Sequence, residues 1–296
     1  MKGKRNVLQV VEMVSILNAL ALAIGALAVP VPDGERRGDT KNCLADIIVA
    51  RGLEQPHLER RTSWSYEGEN GASHWGQFNT VCEAGEFQSP INFEGEKFAI
   101  KLKPKLSWAS LTKPFNVLNN GHTIQLQLKE STPTLSSKQV NNLDYIVQQV
   151  HFHSPSEHHI DEKYFDLEAH FVHASTDGKL SVIGLLFEAG NSKKFENKWI
   201  KQFENKLPST TNSTKPLSKL DMSPIIKALK YAEFFSYTGS LTTPPCTEGV
   251  LWLVAKEPLK ISLRQLDKLR NSMPFNSRTT QANKSVGKNT EGEHDD

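Results

Sequence analysis

Short alternating or apolar runs, separated by Gly, Pro, Asn and Asp, dominate the middle of this 296-residue chain. A period of two residues sends successive side chains to opposite faces of a strand, so these runs predict a sheet. The clearest runs are "FNVLNNGHTIQLQL", "LDYIVQQVHFH", "LEAHFVHA", "LSVIGLLFEA" and "GVLWLVAKEPL". Helical patterns are few, and the best are "SPIIKALKYAEFF", with Ser223 as an N-cap before Pro224, and "SLRQLDKLRNSM". We therefore predict a β-rich α+β fold with short peripheral helices.

The two ends of the chain differ in composition from its middle. Basic residues at the start precede an apolar run that closes on the small residues Ala26-Leu27-Ala28, the pattern of a signal peptide. The alternative is a single membrane anchor, because the run is nearly long enough to span a bilayer. We therefore expect an exported protein, either periplasmic or secreted. The expected segments are a signal peptide at 1–28, a linker or propeptide-like segment at 29–63, a folded domain at 64–286 and a polar acidic tail at 287–296.

The overall charge indicates which partners to expect. The formal net charge is +2, and the lysines are scattered along the chain rather than grouped into a stripe. Both features are untypical of proteins that bind a phosphate backbone. We therefore expect a small-molecule substrate, no nucleic acid, no stable membrane span once the signal is removed, and a monomer or homodimer.

The chain contains three cysteines, Cys43, Cys82 and Cys246. An exported protein folds in an oxidising compartment, where two cysteines of one domain usually form a disulfide. Cys82 and Cys246 both lie in the expected domain, so we predict a bridge between them. Cys43 lies in the linker-like segment, where an unpaired or removed residue and an intermolecular bridge are both open.

Six of the ten histidines lie in one stretch of 24 residues, "VHFHSPSEHHIDEKYFDLEAHFVH". His151 and His153 are separated by one residue in a strand-like run, so their side chains leave the same face with Cα atoms about 6.6 Å apart. His170 lies in the next alternating run, and an antiparallel neighbour about 4.8 Å away brings its imidazole to the same place. The spacing therefore predicts three histidines that face one point.

The types of ligand in this set favour a catalytic zinc site. Three imidazoles without a cysteine or carboxylate leave the fourth tetrahedral position open for water. Gln149 and Glu168 each stand two residues before a histidine of the set, on the same strand face. Such neighbours accept the hydrogen of the second ring nitrogen and fix the tautomer of the ligand.

Several longer motifs, read in order, carry a family resemblance: "FQSPINF", "NNGH", "HFHSPSEH", "EAHFVH" and "YTGSLTTPPCTEGVLW". With them the chain resembles the α-class carbonic anhydrases, particularly the exported bacterial-like kind, from about Trp64 to Val286. The resemblance implies a single domain around a large, twisted, mostly antiparallel mixed sheet. It also implies one zinc ion per chain and reversible hydration of carbon dioxide to bicarbonate and a proton.

The resemblance assigns catalytic roles to three residues besides the ligands. Thr242 matches the threonine that orients the attacking hydroxide, and Glu157 matches the carboxylate that accepts a hydrogen bond from the threonine hydroxyl and so fixes its direction. His122 matches the histidine that shuttles protons between the site and solvent. The zinc ligands in this reading are His151, His153 and His170, with Gln149, Glu168 and Asn276 in contact with them.

Further residues are assigned by the same resemblance. The apolar substrate pocket corresponds to Val172, Val182, Leu241, Thr243, Val250 and Trp252. The opposite, polar wall corresponds to Asn120 and Gln125 together with His122. His158 and Tyr237 resemble members of a buried structural network around Glu168.

Two residues depart from the pattern of the α-class carbonic anhydrases. Gln77 stands where a tyrosine commonly orders the active-site water, and Ser154 stands where many relatives have tryptophan. Near the end of the domain the family spacing of Asn276, Arg278 and Gln281 is kept.

A catalytically silent binding or storage module of the same fold, or a zinc esterase, would share most of these features.

Overall fold

The computed structural model of this protein describes residues 64–285 except 95–98, 101–103, 105, 109, 129–133 and 137–143. The predicted signal peptide, linker, acidic tail and Cys43 lie outside the described residues. The described residues all belong to one compact unit, Thr40–Asp296.

Twelve strands of the described part form one sheet, and two more form a small pair. The strands are β1 Asn92–Phe93, β2 Ala99–Ile100, β3 Leu106–Ser107, β4 Phe115–Asn119, β5 Ile124–Gln127, β6 Thr134–Ser136, β7 Asp144–His153, β8 His159–Ile160, β9 Leu167–Ser175, β10 Leu180–Gly190, β11 Ser213–Leu217, β12 Phe234–Ser240, β13 Glu248–Ala255 and β14 Leu259–Ser262. The main order is β11-β4-β5-β7-β9-β10-β13-β12-β2, with β6 on β7, β3 on β6 and β14 on β10. Only the contacts of β10 with β13 and β14 are parallel within this sheet. The predicted large, mostly antiparallel mixed sheet is confirmed.

Alternation along the central strands divides the sheet into two chemically different faces. Phe152 of β7 and Phe171 of β9 are fully buried in the larger apolar core. Their neighbours along the chain, His151 and His170, therefore point to the other face of the sheet. Burial of each large apolar side chain contributes roughly 1.5–3 kcal/mol. The histidines thus lie on strands whose described side chains are almost all buried.

The helices are short and peripheral, as predicted. They are α1 Val81–Ala84, α2 Ser223–Leu229 and α3 Leu263–Arg270, with 3-10 turns at Gly68–Asn70, Ala72–Gln77, Lys193–Phe195 and Ile200–Gln202. A capping box between Ser262 and Gln265 begins α3. No helix in the described part of the chain is long and apolar enough to cross a membrane.

The predicted N-cap of α2 is wrong by one residue. Met222 is the N-cap, and Ser223 is the first helical residue. The carboxylate of Asp221 accepts hydrogen bonds from the backbone N–H and the hydroxyl of Ser223, and so satisfies a donor that an N-cap side chain would otherwise satisfy. The helix also ends before the apolar pair Phe234 and Phe235, since both pair with β13 in the sheet.

Candidate metal centre and active site

Three buried histidines converge on one face of the sheet. The antiparallel register of β7 and β9 places His151 directly opposite His170, and His153 opposite Glu168. One ring nitrogen from each of the three histidines lies within 4.8 Å of the others. All three side chains are almost fully buried. The structure therefore forms a three-histidine group that could hold a metal ion.

Each of these histidines is held by a hydrogen bond to its other ring nitrogen. The pairs are His151 Nδ1 to Gln149 Oε1 at 2.9 Å, His153 Nδ1 to the carbonyl oxygen of Asn276 at 2.6 Å, and His170 Nε2 to Glu168 Oε1 at 2.8 Å. Because each of these partner oxygens accepts a hydrogen bond from a ring N–H, the second nitrogen of each neutral ring keeps its lone pair. His153 Nε2 is buried without a hydrogen-bond partner in the described part of the chain. Such an atom fits a metal ligand.

Burial keeps the three imidazoles in the form that binds metal. It lowers the pKa of His151 well below its ordinary value, and it also lowers the pKa of His170. It lowers the pKa of His153 to about 3. Neutral imidazoles in a set of three, with no thiolate or carboxylate among them, suit zinc with one open position.

Glu168 connects the ligands to a buried network. Burial by itself raises the pKa of this carboxyl group, but the charges and hydrogen bonds of His158 and His170 hold the pKa well below its usual range. Glu168 Oε2 accepts hydrogen bonds from the backbone N–H groups of Glu157 and His158, at 2.9 and 2.8 Å. His158 also bonds Glu168 Oε1 through Nδ1 and the hydroxyl of Tyr237 through Nε2, each at 2.7 Å. This network fixes the loop between the two ligand strands.

Thr242 and Glu157 meet beside the metal centre. Both are buried, and Glu157 Oε1 lies 3.4 Å from His153 Nδ1. Burial raises the pKa of Glu157 well above its usual range, while the Thr242 hydroxyl and the backbone N–H of Arg278 oppose that rise. The Arg278 N–H donates to Glu157 Oε1 at 3.0 Å. A divalent cation held by the adjacent histidines would further favour the ionised carboxylate.

A pocket that is open to the surface lies beside the histidines. Its lining residues are Trp64, Tyr66, Asn120, His122, Thr123, Gln125, Gln149, His151, His153 and Thr243. The residues assigned to the polar wall, Asn120, His122 and Gln125, therefore share this pocket with two of the metal-site histidines.

His122 lies on the wall of this pocket. Its ring stacks on Trp64, with centroids 3.8 Å apart and planes 10° from parallel. Its backbone N–H donates to Asn120 Oδ1, and its carbonyl oxygen accepts from Asn276 Nδ2. Burial lowers the pKa of His122 below its ordinary value. The imidazole thus shares the pocket with His151 and His153 and lies outside the three-histidine group.

The residues assigned to the apolar side form one buried cluster. Its assigned members are Val172, Val182, Leu241, Val250 and Trp252, each 1% exposed. Val182 pairs in register with Val172 on one side and Trp252 on the other. The Trp252 ring lies 4.8 Å from that of His170. The cluster therefore borders the metal centre, although none of its five residues lines the pocket described above.

Asn276 has more contacts than the sequence suggested. Besides its carbonyl contact with His153, its Nδ2 donates to the carbonyl oxygens of His122 and Phe152 at 3.1 and 2.7 Å. Its Oδ1 accepts the N–H of Ser154 at 2.9 Å. One residue near the end of the domain thus holds the strand end that carries His153 and the turn that carries His122.

The interpretation of Gln77 is wrong. Its side chain is exposed at the end of a 3-10 turn and donates from Nε2 to the carbonyl oxygen of Glu69 at 2.9 Å. Tyr66 lines the pocket instead, next to Trp64. Two similar tripeptides, Trp-Ser-Tyr at 64–66 and Trp-Gly-Gln at 75–77, precede β1. Only the tripeptide at 64–66 ends in a tyrosine. Sequence reasoning therefore missed Trp64 and Tyr66, although that difference could have identified them.

The predicted disulfide between Cys82 and Cys246 is confirmed. It joins α1 to the turn that follows Thr242. The N–H of Cys246 donates to the carbonyl oxygen of Thr243 at 2.8 Å within this turn. The N–H of Leu241 donates to the carbonyl oxygen of Thr247 at 2.9 Å. The bridge therefore fixes the backbone on the Thr242 side of the site.

Comparison with known proteins identifies the family. A family model described as eukaryotic-type carbonic anhydrase matches residues 70–290. A carbonic anhydrase of Klebsiella pneumoniae is 37% identical over 214 residues, which cover 71% of this chain and 83% of that protein. The α-carbonic anhydrase of Thermovibrio ammonificans, solved with the inhibitor sulfanilamide, has a TM-score of 0.64 and 34% identity over 75% of this chain and 96% of its own.

A structure of dioscorin complexed with ascorbate also matches, with a TM-score of 0.64 and 29% identity over 74% of this chain and 94% of its own. The fold is therefore shared by proteins of more than one name, and the family assignment rests on the family match and the 37% identical relative. The chain belongs to the eukaryotic-type, or α-class, carbonic anhydrases.

Proposed function

We propose that this protein catalyses the reversible hydration of carbon dioxide at a zinc site formed by His151, His153 and His170. The observation that carries this proposal is the set of three buried, neutral imidazoles whose second nitrogens are already hydrogen-bonded. Zinc in such a site lowers the pKa of bound water to about 7, a value that comes from carbonic anhydrase itself. The remaining steps depend on side chains of the chain.

Thr242 and Glu157 orient the attacking oxygen in this proposal. The carboxylate of Glu157 accepts a hydrogen bond from the Thr242 hydroxyl, so the threonine oxygen faces the site as an acceptor. A hydroxide can then donate its hydrogen to Thr242 and direct a lone pair toward carbon dioxide. The apolar cluster of Val172, Val182 and Trp252, with Leu241 and Val250, borders the position where an uncharged linear substrate would lie.

Removal of the Thr242 hydroxyl tests this orientation. We expect Thr242→Ala to lower kcat/KM for carbon dioxide hydration about 100-fold, in the range for loss of one preorganised hydrogen bond. The matched variant Thr242→Ser keeps the hydroxyl and should retain most of the activity. Zinc content should be unchanged in both. If Thr242→Ala were as active as Thr242→Ser and the wild type, the hydroxyl would not orient the attack.

The proton released in each cycle leaves by way of His122. An imidazole titrates near neutrality, and His122 lies on the pocket that begins at His151 and His153. We expect His122→Ala to keep zinc and the conversion step but to slow turnover in weak buffer about 100-fold. Imidazole added to the solution should restore much of the rate. Equal rates for the wild type and His122→Ala in dilute buffer would show that the proton leaves by another route.

The proposal is distinguished from its two alternatives by direct assay. A silent binding module would show no hydration of carbon dioxide in stopped-flow measurements on the zinc-loaded protein. A zinc esterase would hydrolyse an activated ester with a higher kcat/KM than it hydrates carbon dioxide. We expect hydration to be faster by several orders of magnitude and to be blocked by sulfanilamide, the inhibitor in the Thermovibrio structure.

We also propose that the chain acts outside the cytoplasm as a single catalytic domain, at 64–286, after removal of residues 1–28. The disulfide supports this location because such bridges form and persist in oxidising compartments. The basic and apolar start of the chain supports it independently. N-terminal sequencing of the protein recovered from an exporting host would show whether the first residues are removed.

A further inference from the structure

The guanidinium of Arg278 is a buried cationic group that the mechanism above does not use. The residue is only 3% exposed. Its Nη1 donates to Gln88 Oε1 at 3.0 Å and to the carbonyl oxygen of Ser89 at 2.7 Å. Its Nη2 donates to the carbonyl oxygen of Cys82 at 2.7 Å, and its Cζ lies 5.6 Å from the centre of the Trp75 ring. Burial lowers its pKa to about 10, which still leaves it charged near neutrality.

The backbone of the same residue contacts the active site. Its N–H donates to Glu157 Oε1 at 3.0 Å, and Glu157 is the residue that sets the direction of the Thr242 hydroxyl. A backbone N–H holds a carboxylate in place only as well as the backbone itself is held. At Arg278 the side chain supplies that restraint through three hydrogen bonds to residues 82–89.

One of the residues that Arg278 contacts, Cys82, belongs to the disulfide. Cys82, whose carbonyl oxygen accepts from Arg278, is bridged to Cys246 in the turn after Thr242. Gln88 also donates from Nε2 to the carbonyl oxygen of Cys246 at 3.2 Å. Thr242 and Glu157 are therefore both tied to the same short segment, one through the bridge and the other through the arginine.

We infer that Arg278 is a positioning residue for the reaction, whose guanidinium fixes Glu157 relative to Thr242. It does so by anchoring the backbone beside Glu157 to the Cys82–Ser89 segment, to which the disulfide joins the Thr242 turn. The inference rests on the proposed function. Planar geometry is essential, since one guanidinium serves three acceptors in different directions. A lysine would keep the charge but could not reproduce this arrangement. A purely structural role would lower stability without any special effect on the Thr242–Glu157 pair.

A double-mutant comparison separates these two roles. We expect Arg278→Lys to retain zinc and to lower kcat/KM about tenfold in the wild-type background, but less than about twofold in a Thr242→Ala background. The reason is that residues acting as one unit are strongly non-additive. Gln265→Ala is the matched control, because it removes two part-buried hydrogen bonds to Asn197 that involve neither Thr242 nor Glu157 nor Arg278. It should lower stability and leave kcat/KM unchanged.

Hydrogen exchange at the amide of position 278 gives a readout that does not depend on activity. We expect exchange at least tenfold faster in Arg278→Lys and unchanged in Gln265→Ala. If Arg278→Lys is too unstable to purify, Gln88→Ala removes one of the three acceptors and should give a smaller change in the same direction. Equal losses of kcat/KM in both backgrounds, or unchanged exchange at position 278, would overturn the inference. A wild-type protein inactive toward carbon dioxide would instead refute the proposed function, and exchange would still show whether the guanidinium fixes this amide.

Discussion

Replacement of His170 by alanine is expected to release zinc and to abolish carbon dioxide hydration. The variant removes one of three protein ligands, so the metal would be left with His151 and His153 alone. Loss of a residue that only contacts a ligand typically costs 10- to 100-fold in metal affinity, and loss of the ligand itself should cost more than about 100-fold. The measurement is zinc content after dialysis against a chelator, followed by stopped-flow hydration.

The chain offers a matched control on the same strand. His173 is also a fully buried histidine of β9, but it lies outside the three-histidine group. We expect His173→Ala to lower stability through lost packing against Trp108, whose ring is stacked 5.8 Å away, and to keep one zinc per chain. Full zinc in His170→Ala after chelation, or equal zinc loss in the two variants, would contradict the assignment of the metal site.

The same measurement of zinc affinity can be applied to a residue that forms a hydrogen bond with a ligand. Gln149→Ala removes the acceptor of His151 Nδ1 and leaves all three ligands in place. Zinc affinity should fall about 10- to 100-fold, between the wild type and His170→Ala. Such an order of affinities would follow from the hydrogen bonds in the structure and not from ligand count alone.

The parts of the site that the sequence predicts well are those set by local periodicity. Because side chains alternate along a strand, the spacing of His151 and His153 determines that they share a face, and the same rule places Gln149 and Glu168 with their ligands. The pairing of His151 with His170 needed only the assumption that the two alternating runs form an antiparallel pair, since elements that follow one another in the chain are usually neighbours in space. These features depend on contacts between residues close in the chain.

The parts of the site that no local pattern marks depend on residues far apart in the chain. Asn276, which only the family resemblance assigned to the site, contacts His153 across 123 residues, and Arg278 contacts Cys82 across 196. No local pattern marks such contacts, because any polar residue in an irregular segment near the end of a domain has the same local appearance. The error at Gln77 had a different origin, since two similar tripeptides competed for one role. The tyrosine of the first tripeptide was the sequence signal for Tyr66, and the structure places that residue on the pocket.

Tertiary contacts also decided the end of α2. The run after Leu229 continues the apolar spacing of a helix, but Phe234 and Phe235 are fully buried in the sheet, opposite Ala255 and Val254. Aromatic residues favour strands when a partner strand is available, and packing against neighbours outweighs helix propensity. The boundary was therefore set by a strand about 20 residues further along the chain.

Loss of the Cys82–Cys246 disulfide is expected to be the largest single change in stability. The bridge spans 164 residues, and the chain-entropy estimate for so long a loop is about 5 kcal/mol. We expect the double variant Cys82→Ser/Cys246→Ser to unfold at much lower urea concentration than the parent. Both proteins should carry Cys43→Ser, so that no third thiol can exchange with the bridge during the measurement.

The same variant also tests whether the bridge acts on the active site. Cys246 lies in the turn that follows Thr242, and the carbonyl oxygen of Cys82 is an acceptor of Arg278, so without the bridge the Thr242 turn is no longer joined to the segment that holds Arg278. At a temperature where the double variant is still folded, kcat/KM should therefore fall while zinc content remains at one per chain. If the parent and the double variant had the same urea midpoint, the chain-entropy argument would be wrong for this protein. If stability fell but kcat/KM per folded molecule did not, the bridge would stabilise the fold without positioning Thr242.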